Sequence, residues 1–579
     1  MNRDRETARD AGTVLRDNGL ISEKQLDLAR RRQERQQTPL HRALVDLGYA
    51  SEEDVYRAVA KVRGMDFTDV SDLSVPKEVL SMVPVKLALH FKIVPVTCEA
   101  GQLTVAFSEP PPASDLGNLR LLIGTRLRAV LSTPAAIHDF IKRHYGLGAQ
   151  TIQQIRNDRA TPDLADDIVF DVKNPDSGLP ADAPMADFVN QILVEALRMD
   201  ATDVHIEPYQ TSIKLRYRID GVLQDIPVPE GLRQLYNSIV SRLKVMAGLN
   251  IAERRVAHDG RIGMKMGNEE YDLRVSIIPT PYGEAVCLRI LGRQSMFLDL
   301  GQLGVEGDQQ AVFEELTKLP QGMVLLTGPT GSGKTTTLYA ALAHANDGTR
   351  KIITIENPIE YRLEGISQIQ TNADLNITFS SGLRSVLRHD PDVILIGEIR
   401  DVETAEIAVR SAQTGHLVFS TLHTNDSISA IPRLLDMKIE PFLLASSLSC
   451  SIAQRLARRV CRHCMEPDEN IPPEIRRDMA ASLRIDPSEV RAWKGRGCVE
   501  CNQLGYRGRI ALYEFFLIND EIIDLMRPGI LPSELRAAAR RQGWKSIREH
   551  GWLKIQNGII PVEENQRLTR RISLPQPSV

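Results

Sequence analysis

Residues 322–345 read GMVLLTGPTGSGKTTTLYAALAHA, and this stretch decides the fold. Its middle fits the pattern G-x-x-x-x-G-K-[ST], which begins at Gly328 and ends at Lys334 and Thr335. An apolar run typical of a buried strand precedes the pattern and a run that favours a helix follows it, as the pattern requires. Such a loop directs backbone N–H groups at phosphate oxygens, with the lysine on the outer phosphates and the Thr335 hydroxyl on Mg²⁺. The predicted phosphate-binding residues are Gly328, Pro329, Thr330, Gly331, Ser332, Gly333, Lys334, Thr335 and Thr336.

Two further apolar stretches end in carboxylates, which a phosphate-cleaving site needs to hold the metal ion and to activate water. DPDVILIGEIRD ends its apolar run at Glu398, and KIITIENPIE leads into Glu356, Asn357 and Glu360. Since the carboxyl ends of parallel strands meet at one edge of a sheet, we expect these side chains near the nucleotide. Glu398 is the candidate for holding the metal ion, and either Glu356 or Glu360 is the candidate for polarising the attacking water.

A third buried strand carries histidines at both ends. The stretch TGHLVFSTLHTND places His416 before its apolar run and His423 after it. A lone histidine more often packs than catalyses, but this pair accompanies a phosphate-binding loop. We favour a role in sensing the phosphate and keep plain packing as the alternative.

The chain contains seven cysteines, and four of them are spaced like metal ligands. Cys461-x-x-Cys464 and Cys498-x-x-Cys501 are two chelating pairs separated by a longer segment. Four thiolates complete a tetrahedral Zn²⁺ site without an open position, so the sequence predicts a structural zinc rather than a hydrolytic one. The remaining cysteines are Cys98, Cys287 and Cys450.

Composition excludes several classes of protein. A chain of 579 residues exceeds what one hydrophobic core supports, so several domains are expected. Its 71 basic and 75 acidic residues give a net charge of −4, which argues against nucleic acid as an obligatory partner. No apolar run approaches the roughly 18 residues of a membrane span, and the charged start MNRDRETARD has no apolar signal segment. We therefore expect a soluble, cytosolic protein.

The order of patterns along the chain predicts four regions. VLRDNGLISEKQL and ALVDLGYASEEDV repeat a helix that ends at glycine and a second helix capped by serine, so residues 1–145 open as a helical module. Residues 146–184, rich in Gly, Asp, Pro, Asn and Ser, are predicted to be a flexible linker. A mixed α/β domain is expected at 185–300. Residues 301–579 alternate helices and strands as in a parallel sheet, with a cysteine-bearing insertion at about 455–512.

These motifs, in this order, resemble those of the type II secretion and type IV pilus assembly ATPases. Further matching segments are ATDVHIEPY, LRYRIDGVL, AHDGRIG, DLRVSIIPTPYGEAVCLRIL and CVECNQLGYRGRIALYE. The resemblance extends from about residue 10 to residue 570 and is weaker before residue 180. It implies an α/β fold with a RecA-like P-loop ATPase core, a preceding mixed α/β (PAS-like) domain, a helical N-terminal domain and a small four-cysteine zinc insertion. In this family the insertion distinguishes assembly motors from retraction motors.

The resemblance also implies a function. We expect a cytoplasmic homo-hexamer, peripheral on the inner membrane, that hydrolyses ATP with Mg²⁺. It would drive assembly of a secretion pseudopilus or a type IV pilus through an inner-membrane platform protein, with a membrane-anchored docking protein as a second partner. The sequence does not separate secretion from pilus assembly. Two other classes stay as alternatives, a nucleotide-binding scaffold without sustained turnover and a conjugation or DNA-uptake ATPase.

Residue roles follow from matching the family's motifs position by position. Lys334 corresponds to the Walker A lysine and Glu398 to the Walker B carboxylate. Glu360 takes the position of the family's candidate for orienting or activating water. The family's histidine box contains His416 and His423.

The chain departs from the family pattern at two places and leaves the catalytic arginines open. Asn357 stands where aspartate is usual, so the acidic segment has one carboxylate fewer, and His258 replaces the commoner glutamine. Hydrolysis needs cations opposite the terminal phosphate, because negative charge spreads over its oxygens in the transition state. The resemblance implies that arginines of the mixed α/β domain supply them, within one subunit or across a subunit boundary. The candidates are Arg216, Arg218, Arg261, Arg274 and Arg289.

The N-terminal module resembles the domain by which these ATPases dock to membrane-anchored components. In some members it binds cyclic di-GMP through tandem arginine-leucine-glycine motifs that end in glutamine. Here Asp10 takes the arginine position of the first motif and His41 the glycine position of the second. Gln33 is retained in the first motif, but its counterpart in the second is Val62. We therefore favour a docking surface or plain helical packing and keep cyclic di-GMP binding as the less favoured alternative.

Overall fold

The computed structural model describes residues 10–36, 38–145, 168–171, 183–229, 231–267, 269–292, 300–305 and 307–569. Contacts between residues divide the chain into two compact units, Met1–Leu291 and Gly292–Val579. Each unit has its own sheets and hydrophobic cores, and each is described by itself.

The first unit contains helices and two sheets. Its helices are Ala11–Asp17, Glu23–Gln36, Leu40–Asp46, Glu52–Arg63, Lys77–Ser81, Val85–Phe91, Ala113–Ile123, Pro134–Tyr145, Ala183–Arg198 and Leu232–Met246. Its strands are β1 (Asp66–Phe67), β2 (Ile93–Glu99), β3 (Gln102–Phe107), β4 (Arg126–Leu131), β5 (Ile168–Asp171), β6 (Ala201–Pro208), β7 (Ile213–Ile219), β8 (Val222–Ile226), β9 (His258–Met266), β10 (Glu269–Thr280) and β11 (Gly283–Gly292).

The N-terminal part begins with the repeated helix pairs that the sequence predicts. Ser22 Oγ accepts from Gln25 N at 3.4 Å, while Gln25 Oε1 accepts from Ser22 N at 2.8 Å, which confirms the capping box. Ser51 Oγ accepts from Asp54 N at 3.1 Å and caps the fourth helix. A four-stranded sheet in the order β1-β4-β3-β2 follows, with further helices between and after its strands, so the module as a whole is mixed α/β rather than helical.

The second part of this unit is a seven-stranded sheet in the order β5-β9-β10-β11-β6-β7-β8. Buried apolar residues alternate with polar ones along its strands, most clearly in β7. The apolar face packs against the helices Ala183–Arg198 and Leu232–Met246, so the polar side chains lie on the opposite face.

One strand of this sheet lies inside the segment predicted to be a flexible linker. Strand β5 pairs with β9 in antiparallel register. Its sequence, IVFD, contains the β-branched and aromatic residues that favour an edge strand, which the composition of the whole segment obscures. The rest of the predicted linker up to residue 182 lies outside the described residues.

The second unit is built around another seven-stranded sheet. Its helices are Asp308–Lys318, Lys334–Ala345, Phe379–Val386, Val402–Gln413, Ala430–Asp436, Pro441–Ser447, Pro473–Leu483, Asp520–Leu525, Pro532–Arg541, Ile547–Gln556 and Val562–Thr569, with 3₁₀ turns at Pro487–Glu489 and Val499–Cys501. Its strands are β12 (Gly322–Thr327), β13 (Ile352–Glu356), β14 (Ser367–Gln370), β15 (Val393–Ile396), β16 (Leu417–Leu422), β17 (Leu448–Val460), β18 (Met465–Pro467), β19 (Trp493–Gly495) and β20 (Tyr506–Leu517).

The strand order of this sheet is β14-β13-β15-β16-β12-β17-β20, and every neighbouring pair except β17 with β20 is parallel. Both faces are covered: Met323 and Leu325 of β12 belong to one core, and Val324 and Leu326 belong to the other. Parallel strands covered on both faces read as continuous apolar runs, which is why their sequences do not alternate. This is the α/β core that the sequence predicts.

The cysteine-bearing insertion is shorter than its predicted span of about 455–512. Strands β17 and β20 pair along most of their length as part of the main sheet, so only the segment between Val460 and Tyr506 projects from it. A separate apolar core packs its helix Pro473–Leu483 against the helix Ile547–Gln556 near the C-terminus. Arg548 also bridges to Asp478 at 2.7 Å across this contact.

A buried carboxylate fastens the last helix to the strand beside the phosphate-binding loop. Glu564 has a fully buried side chain and bonds Arg458 of β17 at 2.6 Å and Arg567 at 2.8 Å. Burial opposes ionisation of Glu564, but hydrogen bonds from Arg567 and Arg458 outweigh it and lower the pKa of Glu564 to about 2. The charged form is therefore the one that the fold stabilises.

We expect Glu564→Gln to lower the free energy of unfolding by about 3 kcal/mol, because Arg458 loses its buried partner. The matched control is Glu521→Gln, which removes an exposed bond to Arg541 and should cost much less, because water screens that pair. Urea unfolding of both variants measures the difference, and equal losses would contradict the buried role.

The bonds of the Glu564 carboxylate also make the free energy of unfolding depend on pH. The folded-state pKa of Glu564 lies below the unfolded value, so its contribution is fully present above about pH 4.5 and is lost as pH falls towards about 2. The stability difference between wild type and Glu564→Gln should therefore shrink over that range.

Candidate active site and candidate metal centre

The phosphate-binding loop joins β12 to the helix that begins at Lys334. Its backbone has positive φ angles of 143° at Gly328 and 87° at Gly333, which residues with a side chain rarely adopt. A Cβ on Gly328 would lie 2.6 Å from the carbonyl oxygen of Gln454 and 2.8 Å from Ser332 Oγ. Space as well as backbone conformation therefore requires glycine, because β17 passes directly against the loop.

The ammonium of Lys334 rests on the loop itself. Nζ donates to the carbonyl oxygens of Gly328 at 2.8 Å and Pro329 at 3.1 Å. Burial lowers the pKa of Lys334, Glu398 acts against this, and the nearby Arg455 adds to the lowering. An anion bound at the loop would restore the preference for the charged lysine.

The other predicted loop residues differ in exposure. Pro329, Thr330, Gly331 and Thr335 are exposed, whereas Ser332 is buried and Thr336 is half-buried. Thr335 lies on the first turn of the helix, where backbone N–H groups have no intrahelical partner. Its exposed hydroxyl is thus accessible to a Mg²⁺ ion at a phosphate bound there.

Glu398 lies at the same sheet edge as the loop. It follows β15 by one residue, and His423 follows β16 directly. Oε2 of Glu398 lies 3.3 Å from Nε2 of His423, and Oε1 of Glu398 bonds Arg400 at 2.6 Å. The structure therefore brings Glu398 and His423 together at the carboxyl ends of two parallel strands.

His416 lies at the opposite edge of the sheet. Its carbonyl accepts from the N–H of Gly322, the first residue of β12, and its Nδ1 lies 2.9 Å from the carbonyl oxygen of Ser411. The six residues of β16 separate it from His423, which is about 20 Å along a strand. The two histidines predicted as a pair are not brought together within the chain, because a residue that precedes a strand lies at its amino edge.

The two candidate glutamates of the acidic segment differ in their surroundings. Glu356 is 3% exposed and accepts hydrogen bonds from Tyr339, from Thr354 at 2.6 Å and from Gln368 at 3.1 Å. A carboxylate held by three donors inside the sheet is a structural element rather than an open base. Glu360 is half-buried beyond the strand end, where its N–H donates to Tyr339 Oη at 3.4 Å.

Asn357 is exposed and is followed by a cis peptide bond to Pro358. Because Asn357 is exposed, its side chain lies outside the buried hydrogen bonds of Glu356. Exchanging the usual aspartate for asparagine changes an exposed charge and leaves the buried network intact.

All five candidate arginines lie on one face of the first unit's seven-stranded sheet, opposite the face that its helices cover. Three are bonded to carboxylates, since Arg216 contacts Glu207, Arg218 lies 3.5 Å from Asp203, and Arg289 lies 3.0 Å from the same side chain. The remaining two, Arg261 and Arg274, occupy directly opposite positions of β9 and β10.

The four clustered cysteines match a tetrahedral metal site. Their sulfur atoms all lie within 4.8 Å of one another, and three of the Sγ···Sγ distances are 3.9, 3.8 and 3.7 Å. A tetrahedron with metal–sulfur bonds of about 2.3 Å has edges of about 3.8 Å, so the cluster fits Zn²⁺. It is the only such group of potential ligands in the part of the chain that the structure describes. The cluster, which can hold a metal ion, consists of Cys461, Cys464, Cys498 and Cys501.

Backbone N–H groups support the sulfur atoms. Gly497 N donates to Cys464 Sγ at 3.3 Å, and the N–H groups of Cys498 and Gly505 each donate to Cys501 Sγ at 3.2 Å. Burial raises the pKa of Cys464 and of Cys498, whereas the two N–H donors of Cys501 outweigh its burial and hold its pKa below the usual value. A thiolate with N–H donors is the form that a metal ion binds.

Sequence reasoning missed two residues that contact the loop or its helix. Tyr339 of the P-loop helix bonds Glu356, and Arg455 of β17 lies beside Gly328. The only signal for Arg455 is a cation within the apolar run LSCSIAQRLARRV, which by itself does not tell which strand lies beside β17.

We expect Glu356→Gln to lower the free energy of unfolding by about 2 kcal/mol, because an amide donor would then face the hydroxyl and amide donors that Glu356 accepts. Glu364→Gln is the matched control, since Glu364 is exposed in the same segment. Chemical unfolding of both variants tests this, and two equally stable proteins would show that the three hydrogen bonds contribute little.

Comparison with known proteins agrees with this geometry. A family model described as "Type II/IV secretion system protein" matches residues 179–567, and one described as "MshEN domain" matches residues 63–151. The type IV pilus assembly ATPase PilB of Myxococcus xanthus is 40% identical over 562 residues, which is 96% of this chain and 97% of that protein. The type II secretion system protein HxcR of Pseudomonas aeruginosa is 47% identical over 409 residues, 70% of this chain and 81% of that protein.

Among solved structures, the pilus retraction motor PilT with bound ADP is 27% identical and covers 67% of this chain and 97% of its own, with a TM-score of 0.44. None of the helices in the described ranges combines the length and the apolar character of a membrane span. The family model covers more than half of the chain, and the two curated relatives exceed 30% identity over most of it. The chain therefore belongs to the family of type II/IV secretion system proteins, which are ATP-hydrolysing motors.

Proposed function

We propose that this chain is the ATP-hydrolysing motor of a filament-assembly machine of the type II secretion or type IV pilus class, working as a homo-hexamer. The observation that carries the proposal is the single sheet edge at which Lys334, Glu398 and His423 lie. Support comes from relatives of both kinds, a pilus assembly ATPase and a type II secretion protein, which match the chain over most of its length.

The residues at this edge divide the chemistry among them. The loop's N–H groups and Lys334 bind the phosphates of ATP, and Thr335 with Glu398 would hold Mg²⁺, which neutralises charge on the phosphates. His423 and Arg400 fix the orientation of the Glu398 carboxylate. Glu360 is proposed to orient the attacking water and accept its proton, because Glu356 is committed to hydrogen bonds inside the sheet.

Cations of the first unit are proposed to meet the terminal phosphate as the transition state forms. Support for this comes from the common face of the five arginines. Two of the five, Arg261 and Arg274, occupy directly opposite positions of β9 and β10. His416, at the far edge of the β16 strand, has no part in this proposal.

The proposed partners are an inner-membrane platform protein and a membrane-anchored docking protein, which would hold the motor at the cytoplasmic face of the inner membrane. The N-terminal module is proposed to supply the docking surface. The two residues at which it departs from the cyclic di-GMP motifs each contact a charged partner. Asp10 pairs with Arg30 at 2.9 Å, and His41 lies 3.0 Å from Glu109. These pairs favour docking over binding of that nucleotide.

Lys334→Ala and Glu398→Ala are expected to abolish ATP turnover, and Glu360→Gln to reduce it at least about 100-fold, since each removes a group that acts on the phosphate or the water. Phosphate release measures turnover, and thermal unfolding checks that each variant remains folded. Lys318→Ala, which removes an exposed lysine paired with Glu315, is the control and should turn over ATP like wild type. Turnover near wild type in Lys334→Ala would instead favour a scaffold role.

The metal of the cysteine cluster is proposed to be a structural Zn²⁺. Metal analysis of the purified full chain should find one zinc per chain, and Cys501→Ser should lower the zinc content and the melting temperature together. Cys450→Ser, at a buried cysteine outside the cluster, controls for loss of a thiol and should leave the zinc content unchanged. A folded protein with much less than one zinc per chain would refute the assignment.

A further inference from the structure

Strand β17 carries charged and polar side chains along the flank of the phosphate-binding loop. Its parallel pairing with β12 aligns Thr327 with Ala453, so the next residues of both strands, Gly328 and Gln454, also lie side by side. Arg455 follows at once, and a Cβ on Gly328 would lie 3.2 Å from its Nη1. A guanidinium thus lies against the first glycine of the loop.

The hydrogen-bond partners of Arg455 are neutral. Nη2 donates to the carbonyl oxygen of Asn425 at 2.8 Å, and Nη1 lies 3.4 Å from that of Gln454. Burial lowers the pKa of Arg455, although the negative charges of Glu514 and Asp426, at longer range, favour the charged guanidinium and oppose this lowering. Those two carboxylates bond other groups, Glu514 to Ser427 and Asp426 to Arg536.

The hydrogen-bond partners of Lys334 are neutral as well. Its ammonium contacts the carbonyl oxygen of Gly328, the residue beside which Arg455 lies. Two cations therefore converge on one glycine, and neither bonds a carboxylate of the described residues. Both side chains are half-buried, and bringing two like charges together where burial removes part of their water is unfavourable unless an anion joins them.

Two buried polar atoms beside the loop have no hydrogen-bond partner among the described residues. Ser332 Oγ is one, in a residue that is 4% exposed, and Gln454 Oε1 is the other, in a residue that is 1% exposed. Buried polar groups are normally satisfied. The orphan hydroxyl of Ser332 lies within the loop, 2.8 Å from the position that a Cβ on Gly328 would take.

We propose that Arg455 is a second cation of the nucleotide site, supplied by the same chain as Lys334, and that it binds an oxygen of the terminal phosphate of ATP. Its partner Asn425 lies two residues after His423, which touches Glu398, so Arg455 is on the side of the site where the phosphate is cleaved. When ATP binds, the guanidinium exchanges a neutral carbonyl for an anionic oxygen. Arg455 thereby distinguishes ATP from ADP. The proposal rests on ATP being the substrate.

The test compares Arg455→Gln with Arg459→Gln, a change to another arginine of the same strand. Titration with ADP and with the non-hydrolysable analogue adenylyl imidodiphosphate measures the affinity for each nucleotide. Arg455→Gln should weaken analogue binding roughly 10- to 100-fold and leave ADP binding within about threefold, because it removes one charged hydrogen bond to the terminal phosphate. Arg459→Gln should change neither affinity.

A second variant separates binding from folding. Arg455→Lys keeps the charge beside the loop and should recover part of the analogue affinity, with the melting temperature of wild type. The proposal is overturned if Arg455→Gln weakens ADP and the analogue equally, or if neither affinity changes. If the wild-type protein did not hydrolyse ATP, the proposed function would fail. The role of Arg455 is tested separately, by whether the Arg455 variants alone lose the tighter binding of the analogue relative to ADP.

Discussion

The second unit depends on the position of strand β17 between β12 and β20. Its parallel pairing with β12 places Gln454 and Arg455 against the phosphate-binding loop, where only glycine fits at positions 328 and 333. The same strand continues to Val460 and leads directly into Cys461, the first cysteine of the cluster. The strand is hydrogen-bonded to a neighbour on each side. The cysteine cluster and the phosphate-binding loop therefore both lie against one strand of the sheet.

The helix that begins at Lys334 is fastened on two sides by buried polar contacts. On one side Tyr339 bonds Glu356 of β13. On the other, Thr337 bonds Tyr513 Oη at 3.1 Å, and the N–H of Tyr513 donates to Nδ1 of His550 at 2.9 Å. Burial lowers the pKa of His550 to about 3, so its ring stays neutral near pH 7 and can accept this bond. Polar groups satisfied in this way fix the helix relative to both the acidic strand and the C-terminal helices.

Local patterns predicted the parts of the site that lie within one stretch of sequence. The loop, the carboxylate after β15 and the cysteine spacing all follow from residues that are neighbours in the chain, so the amino-acid order alone is enough to recognise each of them. The role of Glu356 could not be recognised in this way, because Tyr339 and Gln368, which commit it to the sheet, come from other elements. Arg455 was missed for the same reason, since its importance depends on a strand pairing between segments more than 100 residues apart. The separation of His416 from the site was within reach of the sequence, because a residue before a parallel strand always lies at the amino edge.

Which cation responds first to a phosphate depends on the group that the cation already bonds. Arg218 and Arg289 share the carboxylate of Asp203, so binding a phosphate requires them to give up a charged partner. Lys334 and Arg455 rest on carbonyl oxygens, and exchanging a neutral acceptor for an anionic one gains the stronger, charge-assisted hydrogen bond. In the proposed function, the second unit's own cations therefore bind the nucleotide. For Arg218 and Arg289, which are proposed to meet the terminal phosphate, exchanging Asp203 for a phosphate oxygen is most favourable when the negative charge on the phosphate is greatest, as in the transition state of its cleavage.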